Sequence, residues 1–145
     1  MAPQAKPLYA FLSLCLGLVL FAGAAAAVSS KLSVEDAYAQ AEKGDILLVD
    51  IRSPQEWRTT GIATVAQPIS MHVSGFYERL DAALSGDRDK PVALICSSGG
   101  RSGWMQLQLL ARGFTNVSDV PAGMEGGPNG PGWIKSGLPV KPYSP

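Results

Sequence analysis

The segment Pro91-Val92-Ala93-Leu94-Ile95-Cys96 constrains this chain more than any other. A continuous apolar run with no polar face suits a strand covered on both sides, as in the middle of a parallel sheet. The run stops at a thiol. Ser97-Ser98-Gly99-Gly100-Arg101 follows, a set of small residues suited to a tight loop. An apolar-periodic segment then opens at Ser102, with Trp104, Leu107 and Ala111 near one helical face and Leu110 beside them, and Gly113 stops it. A buried strand, a tight loop and a helix start turn backbone N–H groups toward the sulfur. That arrangement binds anions and favours a thiolate, the nucleophilic form of the side chain. Cys96 is therefore the candidate catalytic residue, and residues Ser97, Ser98, Gly99, Gly100, Arg101 and Ser102 form its loop.

The rest of the pattern alternates helix with strand. Ser33 is placed as the N-cap of a helix with Glu35 and Asp36 in its first turn, and Gly44 as its end. Ile46-Leu47-Leu48-Val49-Asp50-Ile51 reads as a second strand buried on both faces. Ser53 caps a short helix with Pro54 at its first position. A short strand is expected near Ala66 to Ile69, a helix from Phe76 through Leu84, and a short strand from Val117 to Val120. A Gly/Pro loop from Gly123 leads to Trp133, which begins a final turn; Trp104 and Trp133 are assigned to core and pocket-rim packing. Such alternation predicts a single α/β domain, an open sheet of mainly parallel strands with helices on both faces. Ligands of such sheets bind outside the carboxyl ends of the strands, where Asp50 and Cys96 both fall.

Composition removes several classes of function. The 145 residues carry 12 basic and 12 acidic side chains, with no basic block, which argues against a nucleic acid partner. The N-terminus has Lys6, an apolar stretch over residues 8–23 broken only by Ser13, and Ala24-Ala25-Ala26-Ala27. A basic start, an apolar core and small residues before a cleavage point describe an export signal, residues 1–27, followed by a domain over residues 28–145. The alternative is a retained anchor, the one circumstance that would add membrane contact. Cys15 follows Leu14, where a lipoprotein needs a small residue. Removal of the signal leaves Cys96 alone, and one thiol makes neither an internal disulfide nor a zinc site, so no metal and no cofactor are expected. An exported protein of this kind is placed in the bacterial periplasm.

Here the motifs converge. Cys96-Ser97-Ser98-Gly99-Gly100-Arg101, the set Asp50, Arg52, Glu56 and Trp57, the run Gly113-Phe114-Thr115-Asn116-Val117, and an ending with Gly123-Met124, Gly126, Gly132-Trp133 and Gly137-Leu138-Pro139 occur in that order. Together they resemble a single-domain rhodanese, a sulfurtransferase, over about Leu32 to Val140. The resemblance implies a double displacement in which Cys96 takes sulfane sulfur from a small anionic donor such as thiosulfate. The Cys96 persulfide then passes it to cyanide, a thiol or a protein acceptor. The alternative reading is a persulfide-carrying or binding module that serves one protein partner. Related phosphatases and arsenate reductases have one more residue between Cys and Arg, which puts that chemistry last.

Asp50, Arg52 and Glu56 are expected to brace the site. Arg101 is expected either to meet the donor anion or to fix the loop by pairing with Asp50 or Glu56. Family members that use thiosulfate well often carry Arg or Lys where this chain has Ser97, so thiosulfate is expected to be a poor or surrogate donor. The segment Gly61-Ile62-Ala63-Thr64-Val65-Ala66 lacks the family's His. The sole histidine, His72, has no partner in the sequence and reads as incidental. The loop from Gly123 to Trp133 is longer than in minimal members and is a candidate wall of the pocket.

Overall fold

The computed structural model describes residues 1–4 and 27–145; the apolar stretch over residues 8–23, the alanines before Ala27 and Cys15 lie outside the described residues. In chain order the elements are β1 (Val28–Lys31), α1 (Val34–Lys43), β2 (Leu47–Asp50), α2 (Pro54–Thr60), β3 (Ile62–Ala63), β4 (Ala66–Pro68), α3 (Phe76–Ala83), β5 (Val92–Ile95), α4 (Gly100–Ala111), β6 (Asn116–Asp119), α5 (Gly132–Lys135) and β7 (Val140–Lys141). The two apolar runs lie side by side: β2 and β5 pair in parallel with Asp50 opposite Ile95. The main sheet has the order β1-β6-β5-β2-β4, with every pair parallel, and β3 and β7 form a small antiparallel ribbon.

Both faces of the central strands are covered, and the alternation along them shows how. Leu48, Ala93 and Ile95 join Val34 and Ala37 of α1 and Trp133 of α5 in one apolar cluster. Val49, Val92 and Leu94 point the other way, to Leu80 of α3 and Met105 and Leu109 of α4. Residues one apart on a strand face opposite sides, so along β5 both faces are filled by apolar side chains, and β2 turns polar only at its last residue, Asp50. The α/β architecture is the one expected. Helix ends follow local chemistry as well. Ser33 Oγ accepts from Asp36 N at 3.0 Å, and Gly44 closes α1 in the left-handed region at φ 78°. Ser53 and Glu56 form a reciprocal capping box at the start of α2, with Pro54 at its first turn.

Helix α4 departs from expectation in two respects. It begins at Gly100, two residues before Ser102, with Gly99 as its N-cap. Its buried face is Ser102, Met105, Gln106 and Leu109, while Trp104 and Leu107 stand 51% and 61% exposed. Trp104 is therefore not a core residue. The cause is Gln106, a polar residue at an inward position. Its Nε2 donates to Ser30 O at 2.9 Å and Val117 O at 2.8 Å, so the helix is docked on the sheet partly by an amide. Trp133 is fully buried, with Nε1 donating to Pro139 O at 3.1 Å. Strand β1 was not anticipated; its Ser29, Ser30 and Lys31 carry no apolar run, and Ser30 instead meets Ser118 Oγ at 2.6 Å.

The orientation of α4 is testable by paired truncation. Leu109→Ala, at a fully buried position, should cost about 2–5 kcal/mol. Leu107→Ala should stay within about 0.5 kcal/mol. Urea midpoints of the two variants measure the contrast; equal losses would mean the helix presents another face.

Candidate active site

Cys96 directly follows β5, beside the end of β2. From β2 the chain goes to the β4 side of the sheet and then returns to β5 on the other side. That reversal opens a crevice at the carboxyl ends of adjacent strands, the usual ligand position in such sheets. Cys96 is 1% exposed. Its Sγ accepts the Gly99 N–H at 3.1 Å and lies 3.4 Å from Ser102 Oγ, which donates to Gly99 O at 3.1 Å. Gly99 has φ +96°, and a Cβ on it would stand 2.1 Å from Pro121 O. Only glycine meets both demands, and its N–H is thereby aimed at the sulfur. Helix α4 starts at the next residue and adds the positive end of its dipole.

A second loop presses on the first. Met124 N donates to Cys96 O at 2.8 Å and Glu125 N to Ser97 O at 2.9 Å. A Cβ on Gly123, which has φ +66°, would approach Ser97 O to 2.2 Å. The start of the loop that runs from Gly123 to Trp133 thus packs main chain against main chain on the residues after the thiol. The Glu125 carboxylate also accepts a hydrogen bond from Ser97 Oγ.

The remaining expected residues sort into two groups. Asp50 and Arg52 form a fully buried pair, with Arg52 Nη2 2.7 Å from Asp50 Oδ2 and Nε 3.0 Å from Oδ1. Arg52 also donates to Thr60 Oγ1 at 2.7 Å and Gly61 O at 2.8 Å, tying the end of β2 to the end of α2. Glu56 of α2 takes Arg101 in a two-point pair, Oε1–Nη2 2.5 Å and Oε2–Nη1 2.9 Å. Of the two acids open to Arg101, the partner is Glu56. That guanidinium holds the Glu56 carboxyl at about 2, helped by the hydrogen bonds from Ser53 and opposed by partial burial. In return Glu56 raises Arg101 above its ordinary value. His72, with no partner visible in the sequence, has Nε2 3.0 Å from Arg101 Nη1.

Two residues were missed. Glu125 sits in a Gly/Pro loop, and its contact with Ser97 spans sequence too distant for any spacing rule. Asp119 ends β6, is 3% exposed, and its Oδ1 is buried without a partner. Burial pushes its carboxyl up, against the opposing effects of the Ser102 hydroxyl, Lys31 and the Val120 backbone. The strand-end rule that singled out Asp50 and Cys96 finds Asp119 too, once the strand is ended one residue earlier. Among the described residues no cluster of three or more His, Cys, Asp or Glu could hold a metal ion, and no helix is long and apolar enough to cross a membrane.

The fold is that of a small α/β domain with a thiol seated between a central parallel strand and a helix N-terminus. The model of the rhodanese-like domain matches residues 33–127, and the chain belongs to that family. It is 32% identical over 95 residues to the thiosulfate sulfurtransferase GlpE of Pseudomonas syringae, a match spanning 66% of this chain and 83% of that protein. The polysulfide-sulfur transferase homodimer of Wolinella succinogenes has a TM-score of 0.61 at 29% identity, covering 80% of each chain. A rhodanese-like domain from Anabaena has a TM-score of 0.62 at 15% identity, covering 80% of this chain and 81% of that one, a likeness of fold alone.

Two outcomes follow from these ion pairs. Asp50→Ala leaves the Arg52 guanidinium buried without its countercharge and should cost about 3–5 kcal/mol in urea denaturation. Glu56 is depressed from 4.5 to about 2, so its stabilisation is present above pH 4.5 and is lost as the pH falls toward 2. The stability gap between wild type and Glu56→Gln should be flat from about pH 5 to 8 and shrink below about pH 4.5, by about 1 kcal/mol after solvent screening. A gap that keeps its size to pH 2.5 would contradict the pairing.

Proposed function

We propose that the protein is an exported sulfurtransferase that carries sulfane sulfur as a persulfide on Cys96. The observation that carries this reading is the Gly99 N–H held 3.1 Å from Cys96 Sγ at the start of α4. A hydrogen-bond donor aimed at the sulfur favours the thiolate that must attack, and later the thiolate that must leave. In the first half, Cys96 thiolate attacks the outer sulfur of a donor such as thiosulfate. The donor S–S bond breaks, and sulfite departs with the electron pair. In the second half, cyanide or an acceptor thiolate attacks the outer sulfur of the persulfide and Cys96 thiolate returns.

Family membership supports the chemistry, as do the names of two similar proteins, a thiosulfate sulfurtransferase and a polysulfide-sulfur transferase. Four residues separate Cys96 from Arg101, a ring that suits one added sulfur better than a tetrahedral oxyanion. Glu56 already occupies Arg101, which favours a loop-fixing role for that cation over an oxyanion-binding one. The same fact supports a second reading, a persulfide carrier that serves a protein partner and turns small anions over slowly. The export reading rests on the N-terminal pattern, and the periplasm is the compartment proposed with it.

Intact mass of the purified protein, before and after thiosulfate or polysulfide, tests the reading. Wild type should gain one sulfur, about 32 Da, removable by cyanide, and Cys96→Ser should gain none. No adduct from either donor would overturn it. The mass of protein recovered from the exporting cell should lack the residues before Val28.

A further inference from the structure

Two carboxylates flank the loop that holds the thiol. Glu125 accepts from Ser97 Oγ, on the residue directly after Cys96, and Glu125 N donates to Ser97 O at 2.9 Å. Its main chain is therefore fixed beside Ser97. Glu56 lies on the other side, engaged with Arg101. A cleft of about 200 Å³ opens between them, lined by Ser53, Gln55, Glu56, Thr59, Thr60 and Glu125. Its walls offer hydroxyls, an amide and two carboxylates, and no basic side chain. Arg101 is balanced by Glu56, whereas Glu125 has no ion-pair partner among the described residues. One negative charge thus stands uncompensated beside the residue that follows the thiol.

We propose that this cleft admits small thiols bearing a protonated amine, and that Glu125 selects them over anionic sulfur compounds. The proposal rests on the reading of Cys96 as the sulfur carrier. The ammonium group lies against Glu125 and the cleft hydroxyls while the thiolate reaches the persulfide. It attacks the outer sulfur, a new S–S bond forms on the acceptor, and the Cys96 Sγ–S bond breaks with its electron pair returning to Sγ. No oxidant or reductant enters. A dianion such as thiosulfate meets the same carboxylate as a repulsion. A single charge at an open surface, within a few ångströms, changes encounter or affinity by about fivefold, less as salt rises.

The test separates charge selection from sulfur transfer. The full chain and its Glu125→Gln and Glu125→Lys variants are treated with aminoethyl and with sulfonatoethyl methanethiosulfonate, and the rate at Cys96 is read from the mass of its peptide. These reagents modify a thiol whether or not the protein moves sulfur. In parallel, Cys96 persulfide is discharged with cysteamine and with mercaptopropionate. The cation-to-anion rate ratio should fall about 25-fold in Glu125→Gln at low ionic strength, invert in Glu125→Lys, and show its salt dependence in wild type. A ratio unchanged in both variants, or a Cys96 peptide that takes up neither reagent, overturns the proposal. A shifted ratio on a Cys96 that never holds sulfur keeps the charge selection and sinks the sulfur-transfer reading instead.

Discussion

The buried pair of Asp50 and Arg52 is the interaction on which the site depends. Both side chains are without solvent, and the guanidinium is spent on Asp50, Thr60 and Gly61. Desolvating two charges is expensive, and a pair of this kind is retained for geometry more than for stability. The geometry it supplies is the position of α2 relative to the end of β2. Helix α2 carries Glu56, Glu56 holds Arg101, and Arg101 lies in the first turn of α4. The thiol sits between these two ends, so the seat of Cys96 is reached through two successive ion pairs from a sheet that itself contributes no side chain to the chemistry.

Fixing the helices leaves the loop still to be shaped, and there the main chain does the work. Gly99 and Gly123 let two loops approach until their backbones touch, and two N–H···O bonds join them. One consequence is directional. The Gly99 N–H is turned inward to the sulfur rather than outward to water. Another is that Cys96 is almost without exposed surface.

Much of this was legible in the sequence because it follows from local rules. The central strands β2 and β5 could be read from apolar runs without a polar face, and α1 and α2 from the caps Ser33 and Ser53. Cys96 and Asp50 were found by position alone, each at a strand end. Contacts that join distant segments were not legible. β1 is a polar edge strand held by pairing with β6 and by a hydroxyl pair, and neither leaves a periodic trace. The inward face of α4 was misplaced because Gln106 sits where hydropathy demands an apolar residue, and its partners Ser30 and Val117 are known only once the sheet exists. Glu125 and His72 acquire meaning solely from what the fold brings beside them, Ser97 in one instance and Arg101 in the other.

The two-layered make-up of the mouth has a bearing on how such a protein diversifies. The frame around the sulfur is peptide backbone, fixed by glycines that tolerate no replacement. Beside that frame stand the side chains of Ser97 and Glu125, which meet each other and not the thiol. Substitution there can therefore change the charge and bulk of the rim while Cys96 keeps its seat.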